Sequence, residues 1–139
     1  MTTKTIIHTK EEVDNMLPLI RQIAEDIQEM WKTIIKQRSE LAEKEQDPVR
    51  YADDIDPLKT ELNGSIDKIN QYIKEVESLG AFVEEFKRGI INFPSLVYGR
   101  KVFICIQPTK ETSAEFFHEL DETFADRVGL PPKERRLVR

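Results

Sequence analysis

Five aliphatic residues, Val13, Ile20, Ile27, Ile34 and Leu41, recur at intervals of seven through the first third of the chain. Two turns of an α-helix take about seven residues, so this spacing lines all five along one stripe of a single helix. Met16 or Leu17, Ile23 or Ala24, and Met30 or Trp31 fill the intermediate positions and complete a seam of the coiled-coil kind. Such a stripe has to be buried, which makes a second helix or a second copy of the chain part of any fold it can adopt.

The helix has a clear start. Thr9 followed by Lys10, Glu11 and Glu12 has the form of a capping box, in which the hydroxyl accepts an open amide and Glu12 reaches back. Pro18 lies inside the pattern; it removes a backbone donor and crowds the preceding turn, which predicts a kink or break near Leu17. Beyond it the helix should run to Glu45, about 40 Å at 1.5 Å per residue. Between Gln46 and Asp56 the period disappears and Asp47-Pro48, Asp53-Asp54 and Asp56-Pro57 mark a turn. With Asp56 as N-cap and Pro57 at the first helical position, Leu58, Leu62, Ile66, Ile69, Ile73 and Val76 define a second amphipathic helix ending at Gly80.

After Gly80 the texture changes to β-branched and aromatic residues between Gly89, Pro94, Gly99 and Pro108. Tyr98-Gly99-Arg100 reads as a tight turn into a strand over 101–106, and 115–119 as its partner strand. The expected fold is α+β and mainly α: a long antiparallel helical hairpin with a small antiparallel sheet at the C-terminal end. In a single domain of 139 residues, helices cover 9–45 and 57–79, the β region covers 81–119, and 131–139 is a flexible tail.

Composition narrows the function classes. A net charge of -5 opposes phosphate backbones, which makes nucleic acid an improbable partner. The basic residues Lys133, Arg135, Arg136 and Arg139 lack interleaved aromatics and read as a solvated tail rather than a binding strip. One cysteine, Cys105, excludes an intrachain disulfide and suits a reducing compartment. With no apolar signal core and no membrane-length run, a cytoplasmic protein with no membrane association is expected.

The segments Gly89-Ile90-Ile91-Asn92-Phe93-Pro94, Gly99-Arg100-Lys101-Val102-Phe103-Ile104-Cys105, Phe117-His118-Glu119-Leu120-Asp121 and Phe124-Ala125-Asp126-Arg127 resemble a family of uncharacterised bacterial proteins, domain of unknown function 2203. Glu11-Glu12-Val13-Asp14-Asn15-Met16-Leu17-Pro18 resembles that family's opening motif, so the likeness spans nearly the whole chain. Ile106 and Phe117 stand where the family commonly has tryptophan, and Thr123 where it tends to have glycine. The resemblance implies a bacterial, cytoplasmic origin and supports the fold; it implies no activity.

His118, Glu119 and Asp121 form the densest group of metal-ligating or proton-transferring side chains. On a strand, His118 and Glu119 point to opposite faces, so at most one of them joins a site with Cys105. A structural hydrogen-bonding cluster is the competing reading, since no HExxH or CxxC spacing is present. No cofactor is expected beyond a divalent ion, for which His118 and Asp121 are the candidate ligands. Arg100 and Arg127 suit bidentate binding of a carboxylate or phosphate, or pairing with Asp121, Glu119 or Asp126. Cys105 lies in an apolar run and reads as a buried thiol, and His8 reads as a solvated side chain.

Two helices cannot enclose every apolar residue of the double pattern, and Ile35 with Met30 or Trp31 should fall outside the seam. A homo-oligomer or a complex with another helical protein follows from that surplus. A non-catalytic interaction module therefore ranks above a metal-dependent or acid/base enzyme built on His118, Glu119 and Asp121.

Overall fold

The computed structural model describes residues 6–132 and consists of a helical hairpin and a five-stranded antiparallel sheet. Helix α1 spans Lys10–Glu45 and α2 spans Ala52–Ser78. The strands are β1 Phe82–Glu85, β2 Ile90–Val97, β3 Arg100–Ile106, β4 Phe116–His118 and β5 Val128–Gly129, paired in that order, with a 3-10 turn η1 at Phe124–Asp126 between the last two. Among the described residues no helix is long and apolar enough to cross a membrane. The basic residues Lys133, Arg135, Arg136 and Arg139 lie outside the described residues.

The start of α1 is the expected capping box, with the Glu12 amide donating to Thr9 Oγ1 and the Thr9 amide donating to Glu12 Oε1. Of the kink or break expected near Leu17, the break is absent: α1 runs through Pro18 as one helix. Leu17 and Ile20 on either side are buried in the main core, and their packing offsets the hydrogen bond that proline removes. The second helix begins more than one turn earlier than the proline signal suggests, at Ala52, and Pro57 lies inside it. Contacts around Tyr51 hold that added length. The Lys44 ammonium sits 4.3 Å from the Tyr51 ring centroid, and the Asp54 and Ile55 amides donate to the Tyr51 carbonyl.

Residues Val13, Leu17, Ile20, Ile23, Ala24 and Ile27 of α1 and Ile69 and Val76 of α2 pack against Ile91, Phe93, Ile104 and Ile106 of β2 and β3. The β2–β3 hairpin turns through Tyr98 (φ 53°) and Gly99 (φ 76°), the two consecutive left-handed residues of a type I′ turn. The sheet extends beyond the expected 81–119 because β5 pairs with β4, Phe117 facing Val128.

His8 is a correction: it is 5% exposed, not solvated. Its amide donates to the Pro94 carbonyl, Ser95 Oγ donates to its carbonyl, and its Nε2 lies 2.8 Å from the Leu79 carbonyl. The ring meets Phe93 edge-on. This segment leaves no room at Gly80, where φ is +78° and an added Cβ would lie 2.7 Å from Ile6 Cβ. Gly80→Ala should therefore lower unfolding stability by roughly 1–3 kcal/mol in a denaturant titration. Gly64→Ala, in α2 with nothing within 4 Å, should raise it by about 0.5–1 kcal/mol.

Candidate functional site

Strand alternation gives the sheet a second, outward face. Ile91, Phe93, Ile104 and Ile106 point to the helices, so Asn92, Phe103 and Cys105 point away from them. Asn92 is opposite Cys105 in the β2–β3 register, and Phe103 is opposite His118 in the β3–β4 register. Glu84 lies where the β1–β2 register shifts between Val83 and Glu85. A bulge of this kind re-aims a side chain, and here Glu84 reaches His118.

Glu84 Oε1 lies 2.9 Å from His118 Nε2 and accepts from Asn92 Nδ2 at 2.8 Å. The Cys105 thiol is 3.9 Å from the same oxygen, and the Phe124 amide donates to Oε2 at 2.8 Å. His118 Nδ1 is 2.7 Å from the Glu119 carbonyl, which can only accept, so this nitrogen carries a proton. Its other nitrogen then faces a carboxylate. An uncharged ring with Nδ1–H and an ionised Glu84 would set two lone pairs against each other, so the cluster holds one further proton or a cation.

The segment from Glu119 to Arg127 covers this face. The Arg127 guanidinium donates to the Cys105 carbonyl at 3.1 Å, pairs with Glu111 at 2.9 Å and lies 3.8 Å above the Phe124 ring. Arg88 lies 4.7 Å from that ring and pairs with Glu85. Under this cover His118 and Cys105 are each 1% exposed. Burial, reinforced by the Glu84 charge, pushes the Cys105 thiol far above its ordinary range and keeps it protonated unless a cation intervenes.

Of the residues singled out in the sequence, His118 and Cys105 come together with Arg127 on their cover, paired with Glu111 rather than with Asp121, Glu119 or Asp126; Arg100, Glu119 and Asp121 lie elsewhere. Glu119 leaves the opposite side of the strand and receives both guanidinium arms of Arg100, at 3.0 and 2.7 Å. The hydrogen bonds from Arg100, with its charge, hold the Glu119 carboxyl below the usual range. Asp121 is exposed on the turn after β4, and no described residue hydrogen-bonds or ion-pairs with it. Glu84 and Asn92 were missed from the sequence. A glutamate at the end of a short strand gives no signal, because only the bulge turns it inward. Among the described residues, Glu84, Cys105 and His118 are the group whose ligand atoms all lie within 4.8 Å of one another.

A helical hairpin docked on one face of an antiparallel meander, with a covered Glu–His–Cys cluster on the other, is the class of protein these observations define. The model of the uncharacterized conserved protein family designated domain of unknown function 2203 matches residues 7–130, and the chain belongs to that family. No curated protein and no solved structure matches it.

Glu84→Ala would strip the acceptor from His118, Asn92 and the Phe124 amide at once, and should cost roughly 3–5 kcal/mol in chemical denaturation. Glu119→Ala, which loses one exposed ion pair, should leave the unfolding midpoint essentially unchanged. Because the folded Glu119 carboxyl titrates below its unfolded value, its small contribution is present above the ordinary carboxylate range and fades as pH falls through the lowered value. An NMR titration should show that depression in the native chain and its loss in Arg100→Ala.

Proposed function

We propose that the chain is a non-catalytic protein-interaction module that docks through the distal half of its hairpin, with a second copy of the chain as partner. What supports this reading is the contrast between the two halves of the hairpin. Six α1 residues from Val13 to Ile27 are buried, all in the core that carries the sheet, whereas from Gln28 to Lys68 only Ile34 and Leu58 are buried. The distal arm therefore does little to cover the sheet. It leaves Ile35 47% and Ile66 37% exposed beside the seam.

The groove along the distal arm also suits self-association. Ile35, Ser39 and Tyr51 share it with Lys36, Glu40, Glu43 and Lys44, a mixture of both signs. An isologous contact sets each patch against its own copy, and mixed charges around an apolar residue are self-complementary where a single sign would repel. Another helical protein with the same pattern would fit the same groove. A bacterial cytoplasm would keep the single cysteine reduced and accords with the family resemblance.

Light scattering on the untagged chain at about 100 μM checks the proposal. A dimer mass is expected for the native chain and a monomer mass for Ile35→Glu, with unchanged helical circular dichroism. A monomer mass for the native chain would overturn self-association, and a dimer that persists in Ile35→Glu would place the interface elsewhere.

A further inference from the structure

We propose that Glu84, Cys105 and His118 form a closed binding site for a divalent transition-metal ion of the zinc type, beneath the segment Glu119–Arg127. Thiolate, imidazole and carboxylate are together the donor set that borderline ions such as Zn²⁺ and Co²⁺ take in tetrahedral sites. The donor atoms are already gathered: Glu84 Oε1 is 2.9 Å from His118 Nε2 and 3.9 Å from Cys105 Sγ, and the three lie within 4.8 Å of one another. A tetrahedral ion at ordinary bond lengths sets its donors about 3.5 Å apart, so small side-chain rotations bring this set to fit.

The orientation of His118 is that of a metal-binding imidazole. Its Nδ1–H is anchored on the Glu119 carbonyl at 2.7 Å, which directs Nε2 into the cluster, 2.9 Å from Glu84 Oε1, as the nitrogen that would bind an ion in place of the shared proton. A backbone carbonyl on the distal nitrogen is the usual outer partner of a ligating histidine, since it holds both tautomer and ring plane.

A second observation is independent of these three ligands. Asn92 is 2% exposed, its Nδ2 touches Glu84 Oε1, and its Oδ1 is buried without a hydrogen-bond partner. An orphaned acceptor in a buried amide is costly. Turning the amide over brings that oxygen to the position now filled by its N–H, where it faces a cation as a fourth donor or accepts from a water on the ion.

Charge also closes. A dication with one carboxylate, one thiolate and a neutral imidazole is neutral overall, which suits a buried position. Binding displaces the proton between His118 and Glu84 and the thiol proton of Cys105 to solvent, and the ion replaces both. The tether runs from β1 through β3 to β4 and so would stabilise the sheet and its cover rather than supply an open position for a substrate.

The test is to unfold the full chain in chelator, refold it with Co²⁺ alone, and record the absorption spectrum and stoichiometry. The native chain should bind one ion per chain with the intense near-ultraviolet thiolate-to-cobalt band and the visible bands of a tetrahedral site. Cys105→Ser should lose the thiolate band, and Glu84→Gln, which keeps the side-chain shape, should bind Co²⁺ at least tenfold more weakly. A folded native chain that shows no thiolate band, or a Cys105→Ser chain whose Co²⁺ affinity stays within about twofold of native, would overturn the proposal. Should either variant fail to refold, the spectrum of the native chain decides by itself.

Discussion

Glu84 ties together four parts of the chain on the outward face of the sheet through a single carboxylate. From the edge strand β1 its carboxylate reaches Asn92 on β2, His118 on β4 and the amide of Phe124 in the covering segment. Each bond is charge-assisted and shielded from water, which strengthens it. The same shielding makes the carboxylate expensive to bury with any donor missing, so the four segments are held together as a unit. The Phe82–Phe103–His118 series of edge-on ring contacts, at 4.9 and 5.8 Å, packs beside the cluster and excludes solvent from it.

The two faces of the sheet are thus buried by different means. The inward face meets a helical hairpin whose aliphatic residues repeat at helical spacing, and burial is broad and non-directional. The outward face is covered by a segment too short and too polar for that. Directional contacts serve instead: Arg127 binds the Cys105 carbonyl, pairs with Glu111 and stacks on Phe124. A site placed under such a cover gains rigidity from three strands and loses access to solvent, which matches a role in holding an ion more than one in turning over a substrate.

The hairpin is longer than the sheet requires. Its proximal half carries most of the buried residues, and its distal half is two helices thick with charged flanks and a few uncovered aliphatic side chains. Two packed helices can remain folded at that length because each adds hydrogen bonds with every residue and shares a continuous seam with the other. The domain then presents a surface at one end of the molecule and a buried polar cluster at the other.

Local periodicity and turn chemistry were enough to read the hairpin, the capping box at Thr9, the tight turn at Tyr98-Gly99-Arg100 and the change to strands after Gly80, because each depends on residues close in sequence. Proline is the weaker guide: α1 passes through Pro18 unbroken and α2 starts ahead of Pro57, since the backbone cost of proline is local while the contacts that outweigh it come from Leu17, Ile20 and Tyr51 in the folded chain. His8 was misread for the same reason: its neighbours Leu79, Phe93 and Pro94 are more than seventy positions away. The sequence by itself determined the class of fold, the burial of Cys105, and that the adjacent side chains of His118 and Glu119 must part in extended backbone. Only the tertiary structure decided what His118 meets, because Glu84 and Cys105 come to it from two other strands, with Asn92 on a third bonded to Glu84, through a bulge and a sheet register that no local pattern encodes.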